Sequence, residues 1–268
     1  MQILSGKALK DSLKEQILND PDLKKLTFFL YSEKDNEPSF YYLKGIKRLL
    51  TSLSIPYIED FLDHNATEEE NISSFNSLLK GKMVILARPL HVAYEDRLVS
   101  LIDGSFDPDM MDFSNRGRLY SGDLDYLPAT ARSVKVILDH YRIDLTGKRC
   151  LIVGRSNTVG LPVFELVSRY NGLPVLCHSR ISNEVLNEEA KHSDFIFLCS
   201  GTPSLIRKEM LNPNTTVIDC GFSSNGGDLG FIPEENSLKA YTPVPGGVGA
   251  LTSYCLILNA LTLIKKEK

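Results

Sequence analysis

Arg149 to Pro162 reads RCLIVGRSNTVGLP, and this stretch decides the fold. The unbroken apolar run Cys150–Val153 is the pattern of a strand buried on both faces, as in a parallel sheet. Gly154 ends the strand, and Gly160 opens the helical pattern VGLPVFELVSRYN. A glycine at a strand end lets the backbone approach a diphosphate, and the following helix N-terminus offers N–H groups and a positive dipole end to it. The spacing is a relaxed variant of G-x-G-x-x-G, so a tight strand-to-helix turn that holds no ligand produces the same string. The motif alone leaves both readings open.

Working outward, strand-like and helix-like segments alternate along the whole chain, the signature of an α/β fold with parallel sheets. Upstream, KLTFFLYSE is a strand, Tyr42 to Leu53 a helix and Lys82 to Pro89 a second strand. Downstream of the motif, LPVLCHS, DFIFLCSG and TTVIDCGF are further strands, while ARSVKVILDHYRI precedes it as a helix. Together these outline a doubly wound nucleotide-binding domain. The stretch SFDPDMMDFSNRGRLYSGDLDYLP carries almost no periodicity, and the domain junction is expected there, near Tyr120. The final run, GALTSYCLILNALTLIKK, is apolar on nearly all faces and then basic, which suits a buried helix packed back on the first domain. The opening MQILSGKALKDSLKEQILND alternates apolar and charged residues at helical spacing and reads as an amphipathic helix rather than a signal peptide.

At 268 residues and 43% hydrophobic content the chain has material for two cores. A formal net charge of -4 and a pI near 5.8 supply no basic field for nucleic acid or an anionic membrane surface, so a small-molecule partner is expected. No segment reaches the length of a transmembrane span. The five cysteines, Cys150, Cys177, Cys199, Cys220 and Cys255, are odd in number and widely spaced, with no metal-binding pattern. They are expected to be reduced thiols of a cytoplasmic protein, and no metal is expected.

The second strand after the motif ends in His178, Ser179 and Arg180, where domains selective for NAD carry an acid for the ribose hydroxyls. Arg155, Ser179 and Arg180 suit a 2'-phosphate instead, because guanidinium groups bind it through charge-assisted hydrogen bonds, which favours NADP. Arg180 as a solvated side chain and His178 as a surface histidine remain alternatives.

The segments VGRSNTVGLPV, CHSR, SGTP, VIDCGF and above all TPVPGGVGALT resemble the bifunctional methylenetetrahydrofolate dehydrogenase/cyclohydrolase family. The resemblance covers essentially the whole chain, including ILSGKAL, Ser39 to Ile55, and the DPD, GRL and LPAT elements. It implies two domains flanking a cleft. Residues 1–119, completed by a C-terminal helix at 251–268, would hold a tetrahydrofolate derivative as substrate. Residues 120–250 would form a Rossmann-type NADP-binding domain, through which a homodimer assembles. The resemblance further implies that Gly154, Arg155, Ser156 and Ser179 hold NADP, beside Arg180 from the strand-end reading, with Gly201, Pro203 and Phe222 lining its two ends and Thr252 on its side. Pro245, Gly246, Gly247 and Gly249 would run against the folate, where glycines let flat ligands approach the backbone.

In that family a Tyr and a Lys four residues later share a helix face, a Gln ends the next strand, and an Asp anchors the pterin. Tyr42 and Asp109 match two of these positions, whereas Ile46 stands at the Lys and Ala87 at the Gln. Ala129 and Ala131 also depart from the usual Cys and Pro. Losing the Lys removes a proton-transfer group typically contributing about 10² to 10⁴-fold in rate. The expectation is therefore an NADP-dependent methylenetetrahydrofolate dehydrogenase with a weak or absent cyclohydrolase step. Two other readings stay open: a full bifunctional enzyme using Lys44, Lys47 or Arg88 instead, and a non-catalytic nucleotide-binding paralogue.

Overall fold

Strands and helices alternate through the residues that the computed structural model describes, 1–34, 36–221 and 226–266. In chain order they are β1 (Gln2–Ile3), α1 (Lys10–Leu18), β2 (Phe28–Glu33), α2 (Glu37–Ser52), β3 (Tyr57–Leu62), α3 (Glu68–Leu79) and β4 (Met83–Leu86). Then follow α4 (Glu95–Ser100), α5 (Phe113–Tyr120), α6 (Ala129–His140), β5 (Arg149–Val153), α7 (Gly160–Arg169), β6 (Leu173–Cys177) and α8 (Asn183–Lys191). The chain closes with β7 (Phe195–Leu198), β8 (Thr216–Asp219), β9 (Ala240–Tyr241) and α9 (Thr252–Lys266). Two compact units result, one of residues 12–118 and 256–268, the other of 1–11 and 119–255.

The first unit is built on a three-stranded parallel sheet in the order β3-β2-β4. Every residue of β2 is buried, as a central strand covered on both faces demands, and Phe29, Tyr31 and Phe75 interlock in edge and tilted contacts. Asn36 caps α2 by accepting from the Ser39 N–H at 3.2 Å, and its amide donates to the Pro89 carbonyl at 2.8 Å. The Ser39 hydroxyl donates to the Ala87 carbonyl at 3.3 Å, so α2 is fastened to the end of β4 by two side chains of its first turn.

The second unit carries six parallel strands in the order β1-β9-β8-β7-β5-β6. From β5 the chain steps outward to β6, then returns to the other side of β5 with β7, and this reversal places a topological switch point beside β5. Leu151, Val153, Ile196, Leu198 and Val217 form the middle of one core beneath α8.

Three features differ from the sequence reading. The aperiodic junction contains a two-turn helix, α5, whose start is fixed by Asp112 accepting from the Ser114 N–H at 2.8 Å, a local cap that periodicity does not register. Strand β3, with its mixed burial at the sheet edge, likewise has no clean alternation. The opening amphipathic helix is confined to α1, because Gln2 and Ile3 pair with Ala240 and Tyr241 and draw residues 1–11 into the second unit. The C-terminal helix joins the first unit from Leu256 onward, where Asn259, fully buried, donates to the Pro108 carbonyl at 2.7 Å. Replacing Asn259 by Leu strands that carbonyl and should lower unfolding stability by about 1–3 kcal/mol, read from urea denaturation, whereas an unchanged midpoint would contradict this tie.

Candidate functional site

The turn after β5 is shaped by contacts that exclude side chains. Gly154 has φ +121°, and a Cβ there would stand 2.3 Å from the Cys199 carbonyl oxygen. A Cβ on Gly160 would stand 2.2 Å from the Gly154 carbonyl oxygen. The two glycines of the motif are therefore required by the packing of β5, β7 and α7 on one another, before any ligand is considered.

Ser156 organises the intervening loop. Its Oγ accepts from the N–H groups of Val159 at 3.1 Å and Gly160 at 3.3 Å, and its carbonyl accepts from Leu161. Part of the donor set expected to face a diphosphate at the start of α7 is thus already engaged by the loop itself. Around the strand ends lies a cleft of about 400 Å³ lined by Gly154, Arg155, Ser156, His178, Ser179 and Thr202 among others. No carboxylate lines it among the described residues. Arg155, Ser156, Ser179 and Arg180 are all exposed. Arg180 is outside the lining, and its N–H donates to His178 Nδ1 at 3.2 Å, which gives His178 a local structural role. An open cleft with a guanidinium, serine hydroxyls and no acid fits a phosphorylated dinucleotide.

The far wall of this cleft is held by two buried acids that the sequence reading missed. Asp228 Oδ2 accepts from Ser200 N–H, Ser200 Oγ and Gly201 N–H, between 2.8 and 2.9 Å, and so fixes the loop carrying Gly201. Asp219 accepts from Gly221, Asp228 and Leu229 N–H groups. Burial pushes the Asp219 carboxyl up against those hydrogen bonds. Position at the end of a strand was the available signal for Asp219, but nothing local marks Asp228. Gly201 lies at φ +67° on the exposed loop, Pro203 is exposed outside the lining, and Phe222 falls outside the described residues.

In the same unit, Pro245, Gly246, Gly247 and Gly249 line a second cavity of about 350 Å³ together with Lys7 and Lys10. A Cβ on Gly6 would stand 2.1 Å from the Gly247 carbonyl oxygen, and the Lys7 N–H donates to the Gly246 carbonyl at 2.8 Å. The N-terminal segment thus braces the glycine loop. Thr252 begins α9, its hydroxyl 3.5 Å from the Val248 carbonyl, and does not line this cavity.

In the other unit, the Tyr42 hydroxyl donates to Asp109 Oδ2 at 2.6 Å. Burial, then the neighbouring Asp109 carboxylate, pushes the Tyr42 phenol well above its ordinary range, so it stays protonated at any working pH. Ile46, one turn further along α2, is 1% exposed, and Ala87 is fully buried. Asp109 stands on a tight turn in which the Met110 N–H donates to the Asp107 carbonyl at 3.1 Å and the Asp112 N–H to Asp107 Oδ2 at 2.7 Å. Among the described residues the cysteines are all free, no group of side chains is arranged to hold a metal ion, and no helix is long and apolar enough to cross a membrane.

A doubly wound parallel sheet with a phosphate-suited cleft at its switch point defines a nucleotide-binding α/β protein. The family model described as tetrahydrofolate dehydrogenase/cyclohydrolase, NAD(P)-binding domain, matches residues 128–268. The bifunctional protein FolD of Clostridium botulinum is 32% identical over 282 residues, covering 99% of this chain and 98% of that protein. FolD of Acetivibrio thermocellus is 33% identical over 284 residues, covering 99% and 98%. The crystal structure of the bifunctional methylenetetrahydrofolate dehydrogenase/cyclohydrolase FolD from Campylobacter jejuni superposes with a TM-score of 0.89 over the whole of both chains at 28% identity. The chain belongs to the tetrahydrofolate dehydrogenase/cyclohydrolase family.

Gly154→Ala places a side chain against the backbone of Cys199 at a positive φ and should cost about 3 kcal/mol or more of unfolding stability, seen as a lower denaturation midpoint. An unaffected midpoint would show that the turn has room the described packing denies it.

Proposed function

We propose that this chain is an NADP-dependent methylenetetrahydrofolate dehydrogenase whose methenyltetrahydrofolate cyclohydrolase step is weak or absent. The observation that carries the reading is on α2 and its neighbour: the Tyr42–Asp109 pair is formed, while the position one turn beyond Tyr42 holds a buried isoleucine. Its assigned sites are Tyr42, Asp109 and the loop Pro245, Gly246, Gly247 and Gly249 for the folate. For the cofactor they are Gly154, Arg155, Ser156, Ser179, Arg180, Gly201, Pro203, Phe222 and Thr252. NADP, when bound, supplies the hydride acceptor. Hydride transfer requires alignment of donor and acceptor rather than a protein base, so this side of the chemistry survives on orientation.

Water addition to a methenyl group calls for proton transfer, and Ile46 and Ala87 offer no group for it. Tyr42, held protonated, serves as a stacking face and a hydrogen-bond donor rather than a base. The basic side chains that could stand in are otherwise engaged. Lys44 lies over the rings of Phe40 and Tyr41 at 5.4 and 6.0 Å, Lys47 pairs with Glu59 at 2.8 Å, and Arg88 pairs with Glu95. These contacts count against the full bifunctional reading.

The reading assigns folate binding to residues 1–119 with the C-terminal helix 251–268, and NADP binding to 120–250, while the first eleven residues pack with the second unit. A cytoplasmic homodimer goes with it, for which β6, at one edge of the six-stranded sheet, offers an open backbone edge in the nucleotide domain.

Arg155→Ala should weaken NADP binding at least about tenfold in calorimetric titration while leaving NAD binding nearly unchanged, because a charge-assisted contact to the 2'-phosphate is lost. Wild-type protein that binds NAD as tightly as NADP would contradict the cofactor assignment. Asp109→Ala should remove most tetrahydrofolate binding, since a pterin amine left without its acceptor loses affinity, and undiminished binding would contradict the folate assignment.

A further inference from the structure

Among the described residues, two buried side-chain oxygens have no hydrogen-bond partner, Tyr31 Oη and Asp107 Oδ1. The Tyr31 ring is fixed by its aromatic neighbours. Asp107 is different in kind, because it is fully buried and stands two residues from Asp109 on the same tight turn. Its Oδ2 accepts from the Asp112 N–H at 2.7 Å and from Asn115 Nδ2 at 3.2 Å, while Oδ1 accepts from nothing. A carboxylate ion needs donors on both oxygens to offset complete burial, and a second carboxylate next to it adds repulsion. The neutral acid carries no charge to bury or to repel, so its unpaired oxygen costs less: Oδ2 remains the acceptor oxygen and Oδ1 carries the proton.

We propose that Asp107 is held as the neutral acid and acts as a positioning residue for Asp109, bracing the turn from inside while leaving Asp109 as the turn's acceptor for the substrate's amino groups. This rests on the assignment of Tyr42 and Asp109 to the folate. The titratable groups facing Asp107 are Asp109 and Asp112 of its own turn and Tyr42 of α2. Two uncharged amides also reach the turn, Asn115 from α5 and Asn259 from α9, the latter on the adjacent Pro108 carbonyl. Burial, reinforced by the charges of Asp109 and Asp112 against the donated hydrogen bonds, carries Asp107 up to about 7.

Because the folded-state value lies above the unfolded one, the unfolded chain releases this proton first. The group's contribution to stability therefore falls as pH rises from about 4 to about 7 and is flat above that. Asparagine copies the neutral acid in shape, with an amide acceptor and an N–H donor, but cannot ionise.

The test compares wild type, Asp107→Asn and Asp107→Ala by thermal unfolding without ligand across that range, and by tetrahydrofolate titration at pH 6 and pH 8.5. The melting temperature of Asp107→Asn relative to wild type should climb between pH 4 and 7 and then level off. Asp107→Ala, which removes the acceptor for Asp112 and Asn115, should melt lower than Asp107→Asn throughout. Wild-type tetrahydrofolate affinity should drop roughly tenfold between pH 6 and 8.5 as a second charge reaches the turn, while that of Asp107→Asn stays level. A melting temperature of Asp107→Asn relative to wild type that stays constant, or that falls with rising pH, overturns the neutral acid. The expected melting pattern with parallel folate titrations in wild type and Asp107→Asn overturns the positioning role. Absence of tetrahydrofolate binding by wild type at either pH overturns the folate assignment and the positioning role together, while the melting comparison still decides whether Asp107 is neutral.

Discussion

Where β5 gives way to α7, three backbone segments occupy a space that admits no side chain. Gly154 lies against the Cys199 carbonyl, and Gly160 lies against Gly154. This contact fixes how closely β7 and α7 approach β5, and so sets the floor of the cleft in which Arg155 and Ser179 are exposed. Interiors packed to this density cannot yield by small amounts, so the glycines are conditions of the sheet rather than ornaments of a binding loop. Ser156, whose hydroxyl closes the loop between them, continues the same pattern: the loop is arranged first by its own hydrogen bonds.

Buried carboxyls then do for the loops what glycines do for the turn. Asp228 gathers three donors from residues 200 and 201, and Asp219 gathers three more from residues 221, 228 and 229. In the other unit Asp107 braces the turn that carries Asp109, and Asn259 fastens that turn to the C-terminal helix. Each is a single side chain satisfying backbone N–H or carbonyl groups that irregular chain would otherwise leave unpaired inside the protein.

The strands of the doubly wound sheet were legible in the sequence because buried parallel strands are continuous apolar runs, as in Cys150–Val153 and Phe195–Leu198. The Tyr42–Asp109 pair came from the family resemblance, since 67 residues separate its members and no spacing rule connects them. Periodicity was silent on β3, an edge strand, and on α5, a helix of two turns begun by a local Asp cap. It was silent too on Asp228 and Asn259, whose partners are set only by the folded chain. The N-terminal pairing of Gln2 and Ile3 escaped because two residues are too few to show any period.

In the function proposed here, an apolar, buried position 46 and engaged basic neighbours separate the two reactions carried out by the family's bifunctional members. The direct measurement follows the reduced nicotinamide and the methenyl absorbance together when purified protein meets methylenetetrahydrofolate and NADP. Reduced nicotinamide should form in step with a methenyl product that then decays no faster than in buffer. Methenyl decay catalysed well above the buffer rate, or no reduction of NADP at all, would contradict the account.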